Sequence, residues 1–219
     1  MNELARDLAD FVTVSPTPYH AVAEAVRRLS AAGFVEQSET APWNDKPGGR
    51  YLVRDGTFVA WVQHAHAPQS RPQPLRVFLA HTDSPTLKVK PRPDTGRGGW
   101  RQVGVEVYGG ALWNSWLDRD LGLAGRLVSY DGTTVLVDVA RPLLRVPQLA
   151  IHLDRNVNQG LKLDAQQHLL PIWGLGAPAA GDLLEFVAAE AGVDAEDVAA
   201  HDLVLYDLTP PARLGEEEE

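Results

Sequence analysis

His81 and Asp83 lie two residues apart in Ala80-His81-Thr82-Asp83-Ser84-Pro85, just past the apolar run Leu75-Arg76-Val77-Phe78-Leu79-Ala80. That run is almost continuously apolar, which predicts a strand covered on both faces of an α/β sheet. Ligands in such sheets bind beyond the carboxyl ends of the strands, where this pair falls. A histidine that ligates a metal needs its second ring nitrogen tied to an acceptor, and His-x-Asp supplies ligand and orienting carboxylate from one short loop. The 219 residues contain no cysteine, so any metal site must be built from His, Asp and Glu, a donor set that suits zinc. The same residues also describe a histidine capped by an aspartate in an ordinary turn, and the local sequence leaves both readings open.

Other polar clusters carry less. Asp118-Arg119-Asp120 reads either as a loop salt-bridge cluster, worth ~0–1 kcal/mol if exposed, or as a guanidinium placed to grip a carboxylate through two parallel hydrogen bonds. His20 follows a proline-rich turn at a helix start and reads as a capping or packing residue. His64, His66, His168 and His201 show no His-x-x-x-His spacing and are taken as ordinary. Neither G-x-G-x-x-G nor G-x-x-x-x-G-K-[ST] occurs, and Gly109-Gly110 fits neither pattern, which argues against a phosphate-binding module.

The elements that must position these residues follow from hydrophobic spacing. Leu4, Leu8, Phe11 and Val12, then Ala21, Val22, Ala25, Val26 and Leu29, predict two amphipathic helices separated by Pro16 and Pro18. Thr17 is the expected N-cap, Pro18 the first helical residue and Gly33 the stop. Tyr51-Leu52-Val53 and Phe58 to Val62 read as strands, as does Leu75 to Ala80. From Lys88 to about Pro171 the chain becomes rich in strand and turn residues, with a strand over Val103–Tyr108. Arg126–Tyr130 is expected to pair with Thr133–Val139 across Asp131-Gly132. A helix over Gly181–Ala191, a short helix from Asp194 and a strand over Asp202–Leu208 follow. The terminal Gly215–Glu219 run reads as solvated.

Composition narrows the function classes. Hydrophobic residues make up 44% and charged residues 22%, the balance of a folding globular chain. Without cysteine there are no thiol nucleophiles, iron–sulfur clusters or disulfides. A net charge of −9 repels a phosphate backbone, so nucleic acid is not expected as a partner. No run of 18 apolar residues occurs and the N-terminus carries acids where a signal peptide is basic, so neither membrane nor secretion is expected and the location is read as cytoplasmic.

Whole phrases then add to the single residues. Ser15-Pro16-Thr17-Pro18-Tyr19-His20-Ala21, His81-Thr82-Asp83-Ser84-Pro85 running into Leu87-Lys88-Val89-Lys90-Pro91, Val105-Glu106-Val107-Tyr108-Gly109-Gly110, Trp113 to Trp116 leading into Asp118-Arg119-Asp120-Leu121, and Pro147 to Leu153 resemble, in order, motifs of the aspartyl aminopeptidase family of zinc metallopeptidases. The resemblance covers essentially the whole chain. It implies a cytosolic aminopeptidase that removes acidic or neutral N-terminal residues from peptides, with two zinc ions per site, in a homo-oligomer. His81 matches the family's metal-binding histidine and Asp83 the catalytic-site carboxylate that orients it. His152 matches a histidine also assigned to zinc, with a partly buried structural histidine as the competing reading. Trp113, Trp116, Asp118, Arg119 and Asp120 fall in a loop that the resemblance places at a subunit contact and the substrate pocket. Here Asn114 and Ser115 stand where relatives often carry a histidine.

The expected fold class is α/β: part of a metallopeptidase catalytic sheet with its helices, plus an inserted β-rich, barrel-like domain. Residues 1–87 are expected to form the N-terminal part of the catalytic domain and 88–180 the insert. Residues 181–208 form a helix–strand return or the end of the insert, and 209–219 an acidic tail. A paired-zinc site needs several further carboxylates and histidines, and the family's remaining ligands have no match in this chain; Glu216–Glu219 lack the strand and loop that would aim them. The chain thus reads as the front half of such an enzyme, inactive alone and awaiting its second half, with an open strand edge and apolar face over residues 1–85. The alternative is an inactive truncated relative that acts as an assembly module.

Overall fold

Asn2 and Thr17 each start a helix by offering a side-chain oxygen to an orphan amide. In the computed structural model, which describes residues 2–43, 46–64 and 75–215, Asn2 Oδ1 accepts from the amide of Ala5 at 2.8 Å and opens α1 (Glu3–Thr13). Thr17 caps α2 (Pro18–Ala31), which Gly33, at φ 82°, follows. Arg28 joins the helices, pairing with Asp7 at 2.7 Å and lying over the Phe11 ring at 5.1 Å. Hydrogen bonds from Arg27 and then Arg28 hold the Glu24 carboxyl down to about 2.

The chain folds as two compact units, Met1–Ser84 and Pro85–Glu219. In the first, β1 (Val35–Glu36) runs parallel to β2 (Gly48–Arg54), and β2 pairs antiparallel with β3 (Thr57–Gln63). Its buried apolar side chains among the described residues are Ala21, Val22, Ala25 and Tyr51, a small core. The strand expected over Leu75–Ala80 is not formed: those residues pair with no strand among the described residues, and Phe78 and Leu79 are each 92% exposed. A central strand needs a neighbour on both edges, and the described residues of this unit supply neither. Composition alone therefore misread it.

The second unit is built on a six-stranded sheet of β4 (Thr86–Arg97), β5 (Trp100–Tyr108), β6 (Leu121–Ser129), β7 (Thr134–Leu144), β8 (Ile172–Leu175) and β9 (Val198–Asp207), in the order β7-β6-β9-β4-β5-β8. The predicted hairpin is present: Val128 lies opposite Thr134 and Arg126 opposite Leu136, while the Asp131 carboxylate accepts the Thr133 amide at 2.8 Å across the turn. One antiparallel bridge between Arg145 and Ile172, made of hydrogen bonds of 3.0 and 2.8 Å, ties the two edges of the sheet at a single point.

α3 (Asp182–Ala191) packs Leu183 and Val187 into a core shared with Leu87, Val105, Leu123, Val139, Leu203 and Leu205, all almost fully buried. Each such side chain contributes about 1.5–3 kcal/mol by leaving water. The helix is capped from across the sheet: Gly181 has no side chain to offer, and Asp94 of β4 accepts the Gly181 amide at 2.8 Å and the Leu183 amide at 3.0 Å. Asp94→Ala strands both donors and is expected to cost ~1–2 kcal/mol. The drop would be read as a lower urea midpoint, with Asp94→Asn in between; an unchanged midpoint in Asp94→Ala would show that the cap contributes nothing.

Candidate functional site

The loop after Ala80 is anchored by its middle residue. Thr82 Oγ1 donates to the carbonyl of Gly56, at the β2–β3 turn, at 2.6 Å. On either side, His81 Nδ1 meets Asp83 Oδ1 at 2.8 Å. With the carboxylate accepting from Nδ1, the neutral ring keeps its lone pair on Nε2, the tautomer a metal ligand needs. The His81 side chain is 89% exposed, so Nε2 opens outward. The local contact between His81 and Asp83 that the sequence suggests is therefore formed.

Zinc needs more than one nitrogen. Among the described residues no group of three or more His, Asp or Glu side chains comes together, so they do not amount to a zinc site by themselves. What they provide is one exposed imidazole with a carboxylate on its Nδ1. His152 belongs to the other compact unit, in a turn where the Leu153 amide donates to Ala150 at 2.8 Å. It is exposed, as are the flanking Ile151 and Leu153, so the reading of a partly buried structural histidine does not hold.

The tryptophan loop is tied down by its charges. Trp113–Trp116 forms a short 3-10 turn, and Trp116 packs against the core of the second unit. Asp118 takes a left-handed backbone, φ 55°, which lets its amide donate to Val146 at 2.9 Å while its carboxylate accepts from the Gln148 amide at 3.1 Å. Arg119 pairs with Asp207, and Asp120 with Arg145. Burial pushes the Asp207 carboxyl up, but the Thr209 amide and hydroxyl together with Arg119 outweigh it and leave the group below its ordinary value. The loop thereby borders a concavity of about 540 Å³ lined by Asp118, Arg119, Asp120, Arg145 and Leu208 among others. Its link to Val146 and Gln148 places it beside the start of the Pro147–Leu153 segment. Sequence reading treated the two as separate phrases and missed Asp207 and Arg145, partners 88 and 25 residues away with no local signature.

His20 and His168 make local hydrogen bonds. His20 Nδ1 lies 2.8 Å from Thr17 Oγ1 at the α2 start, and His168 Nδ1 accepts the Asp164 amide at 2.9 Å. His66 and Glu216–Glu219 lie outside the described residues.

The chain thus presents an imidazole hydrogen-bonded to a carboxylate, in a small α/β unit joined to a β-rich one. The family of aminopeptidase I zinc metalloproteases (M18) matches residues 11–219, and the chain belongs to that family. The nearer resemblances are to the probable M18 family aminopeptidase 2 of Streptomyces coelicolor, 58% identical over 215 residues, and that of Mycobacterium leprae, 47% identical over 221 residues. These alignments take in 97% and 96% of this chain but 49% and 50% of the relatives, so the chain spans about half their length. Among solved structures, Ape4 from its complex with Nbr1 superposes with a TM-score of 0.82 at 34% identity, over 97% of this chain and 45% of that one. The S. cerevisiae mApe1 dodecamer superposes at 0.69 and 26% identity, over 95% and 49%. An M18 aminopeptidase from Thermotoga maritima, at 22% identity and a TM-score of 0.75 over 97% and 49%, shares the fold. No helix of the described residues is long and apolar enough to cross a membrane.

Proposed function

We propose that this chain supplies the N-terminal half of a zinc-dependent aminopeptidase that removes acidic or neutral N-terminal residues from peptides, with His81 as a metal ligand and Asp83 as the carboxylate that orients it. The observation that carries the reading is the 2.8 Å contact between His81 Nδ1 and Asp83 Oδ1 in an exposed loop, inside a chain of the M18 family. In this reading residues 1–87 are the front of the catalytic domain and 88–180 its insert. Two zinc ions per site, His152 as a further ligand, and a substrate or subunit role for Trp113, Trp116, Asp118, Arg119 and Asp120 belong to the same proposal. So do the cytosol as its location and homo-oligomeric assembly, which the dodecamer of one solved relative supports. The remaining ligands are supplied by polypeptide outside this sequence, which fits a chain spanning about half of its relatives.

Reconstitution tests this. The 219-residue chain is mixed with a polypeptide made from the part of the Streptomyces coelicolor relative that the alignment leaves uncovered, and turnover of aspartyl and leucyl anilides is followed. Activity is expected in the mixture and not in either part, and expected to vanish with His81→Ala. A mixture that assembles yet stays inactive, beside an active full-length relative, would favour the assembly module instead. The self-contained core of the second unit is the observation that keeps that reading in play.

A further inference from the structure

The six-stranded sheet is not laddered evenly. β9 pairs with β6 from Leu121 opposite Asp207 to Ser129 opposite Val198, and β4 with β5 from Thr86 opposite Tyr108 to Arg97 opposite Trp100. Between β4 and β9 there is a single registered pair, Lys88 opposite Val204. β4 itself is irregular beyond this pair: Lys90-Pro91-Arg92-Pro93 lies where its register against β5 shifts, between Val89 and Asp94. Proline has no amide to donate, and a bulged stretch turns its neighbours out of the ladder. The blocks β7-β6-β9 and β4-β5-β8 consequently meet along a seam.

Side chains take the place of the missing ladder. The Thr86 hydroxyl donates to the carbonyl of Leu205, and Lys88 pairs with Asp202 at 2.8 Å. The third element is His201, whose ring meets the carbonyl of Pro91 and whose Nδ1 is buried with no hydrogen-bond partner among the described residues. A proton gained on Nδ1 makes it a buried donor with no acceptor of its own.

We propose that the β4–β9 seam is an acid-releasable latch, held shut by the neutral ring of His201. The charges that act on that ring are Asp202, its neighbour on β9, and Lys88 of β4; the two pair with each other at 2.8 Å, and strand alternation places both on the face of the sheet opposite to His201. On β6 its registered neighbour is the apolar Leu127, and Arg126 of that strand stands opposite Asp202. Burial is the largest influence and holds the ring below its ordinary value, with Lys88 acting in the same direction and Asp202 and the Pro91 carbonyl against it. With the seam open the ring regains an ordinary value near 6.5, so it binds more protons open than shut. The latch is at full strength above that value, weakens as pH falls through it, and has lost all of this contribution below the lower value of the closed seam.

Amide hydrogen exchange on the full chain, corrected for intrinsic rates and taken from about pH 7.5 to about pH 5 across the ordinary histidine range, tests the latch. Residues 86–89 and 201–205 are expected to lose protection on acidification while the β6–β7 hairpin keeps its own. His201→Gln is expected to make seam protection independent of pH. A loss spread equally over both regions, or an acid loss that persists in His201→Gln, would overturn the proposal. Should that variant not fold, the ring of His201 is titrated by NMR in the unaltered chain: seam loosening must follow its midpoint, and loosening that follows another group's midpoint sinks the idea.

Discussion

Gly125→Ala should unfold the second unit or leave it barely stable. A Cβ built on Gly125 would stand 2.0 Å from the carbonyl oxygen of Asp202 and 2.8 Å from the Cα of Leu203, both backbone atoms of β9 that cannot swing aside. β6 and β9 would have to part along their whole paired length, and with them the contact of Leu123 with Leu203 and Leu205 in the core. Overpacking costs about 1–3 kcal/mol when side chains can give way, and more when they cannot. Against a total of about 5–15 kcal/mol for a typical domain, that leaves little reserve. Gly132→Ala is the matched control: its φ is 86° and nothing lies within 4 Å of its Cβ, so only the left-handed backbone penalty of ~1–2 kcal/mol applies. The urea midpoints of the two variants decide the matter. Equal losses would show that β6 and β9 do not approach as closely as described.

The second large effect concerns chemistry and leaves the fold alone. In the reconstituted enzyme, His81→Ala removes a ligand outright and Asp83→Asn removes only the charge that orients it. Loss of an orienting partner typically lowers metal affinity or activity 10–100-fold, so Asp83→Asn is expected in that range and His81→Ala well beyond it. The His81 side chain is 89% exposed, and surface substitutions of this kind usually change stability by no more than about 0.5 kcal/mol; Asp83 is half-buried, and asparagine keeps its shape there. Zinc affinity, turnover and melting temperature measured on the same preparations separate the two effects. A His81→Ala enzyme that binds zinc and turns over normally would remove His81 from the site.

What the sequence disclosed, and what it hid, divides by the range of the interactions. Thr17, Gly33 and Asp131-Gly132 act within a few residues, and the helix cap, the helix stop and the hairpin they predict are all present. The His81–Asp83 pair is local as well, and it was legible for that reason. The strand misread at Leu75–Ala80 depends on neighbours in space, which an apolar run does not specify. The same limit concealed the cap that Asp94 gives α3, and the pairing of Arg119 with Asp207 and of Asp120 with Arg145. The β4–β9 seam was hidden for a related reason: the two prolines of β4 mark a bulge, which shifts the register against the nearby β5, but the gap in pairing lies against a strand more than a hundred residues later.

The division of labour proposed for the metal site is tested most directly by zinc calorimetry on the 219-residue chain, alone and with the second-half polypeptide, beside His81→Ala. One histidine and its orienting carboxylate do not make a tetrahedral set, so the chain alone is predicted to show no tight site. The mixture is predicted to gain one that His81→Ala abolishes. Tight, stoichiometric zinc binding by the chain alone would contradict the account, because it requires a complete ligand set that the described residues do not bring together.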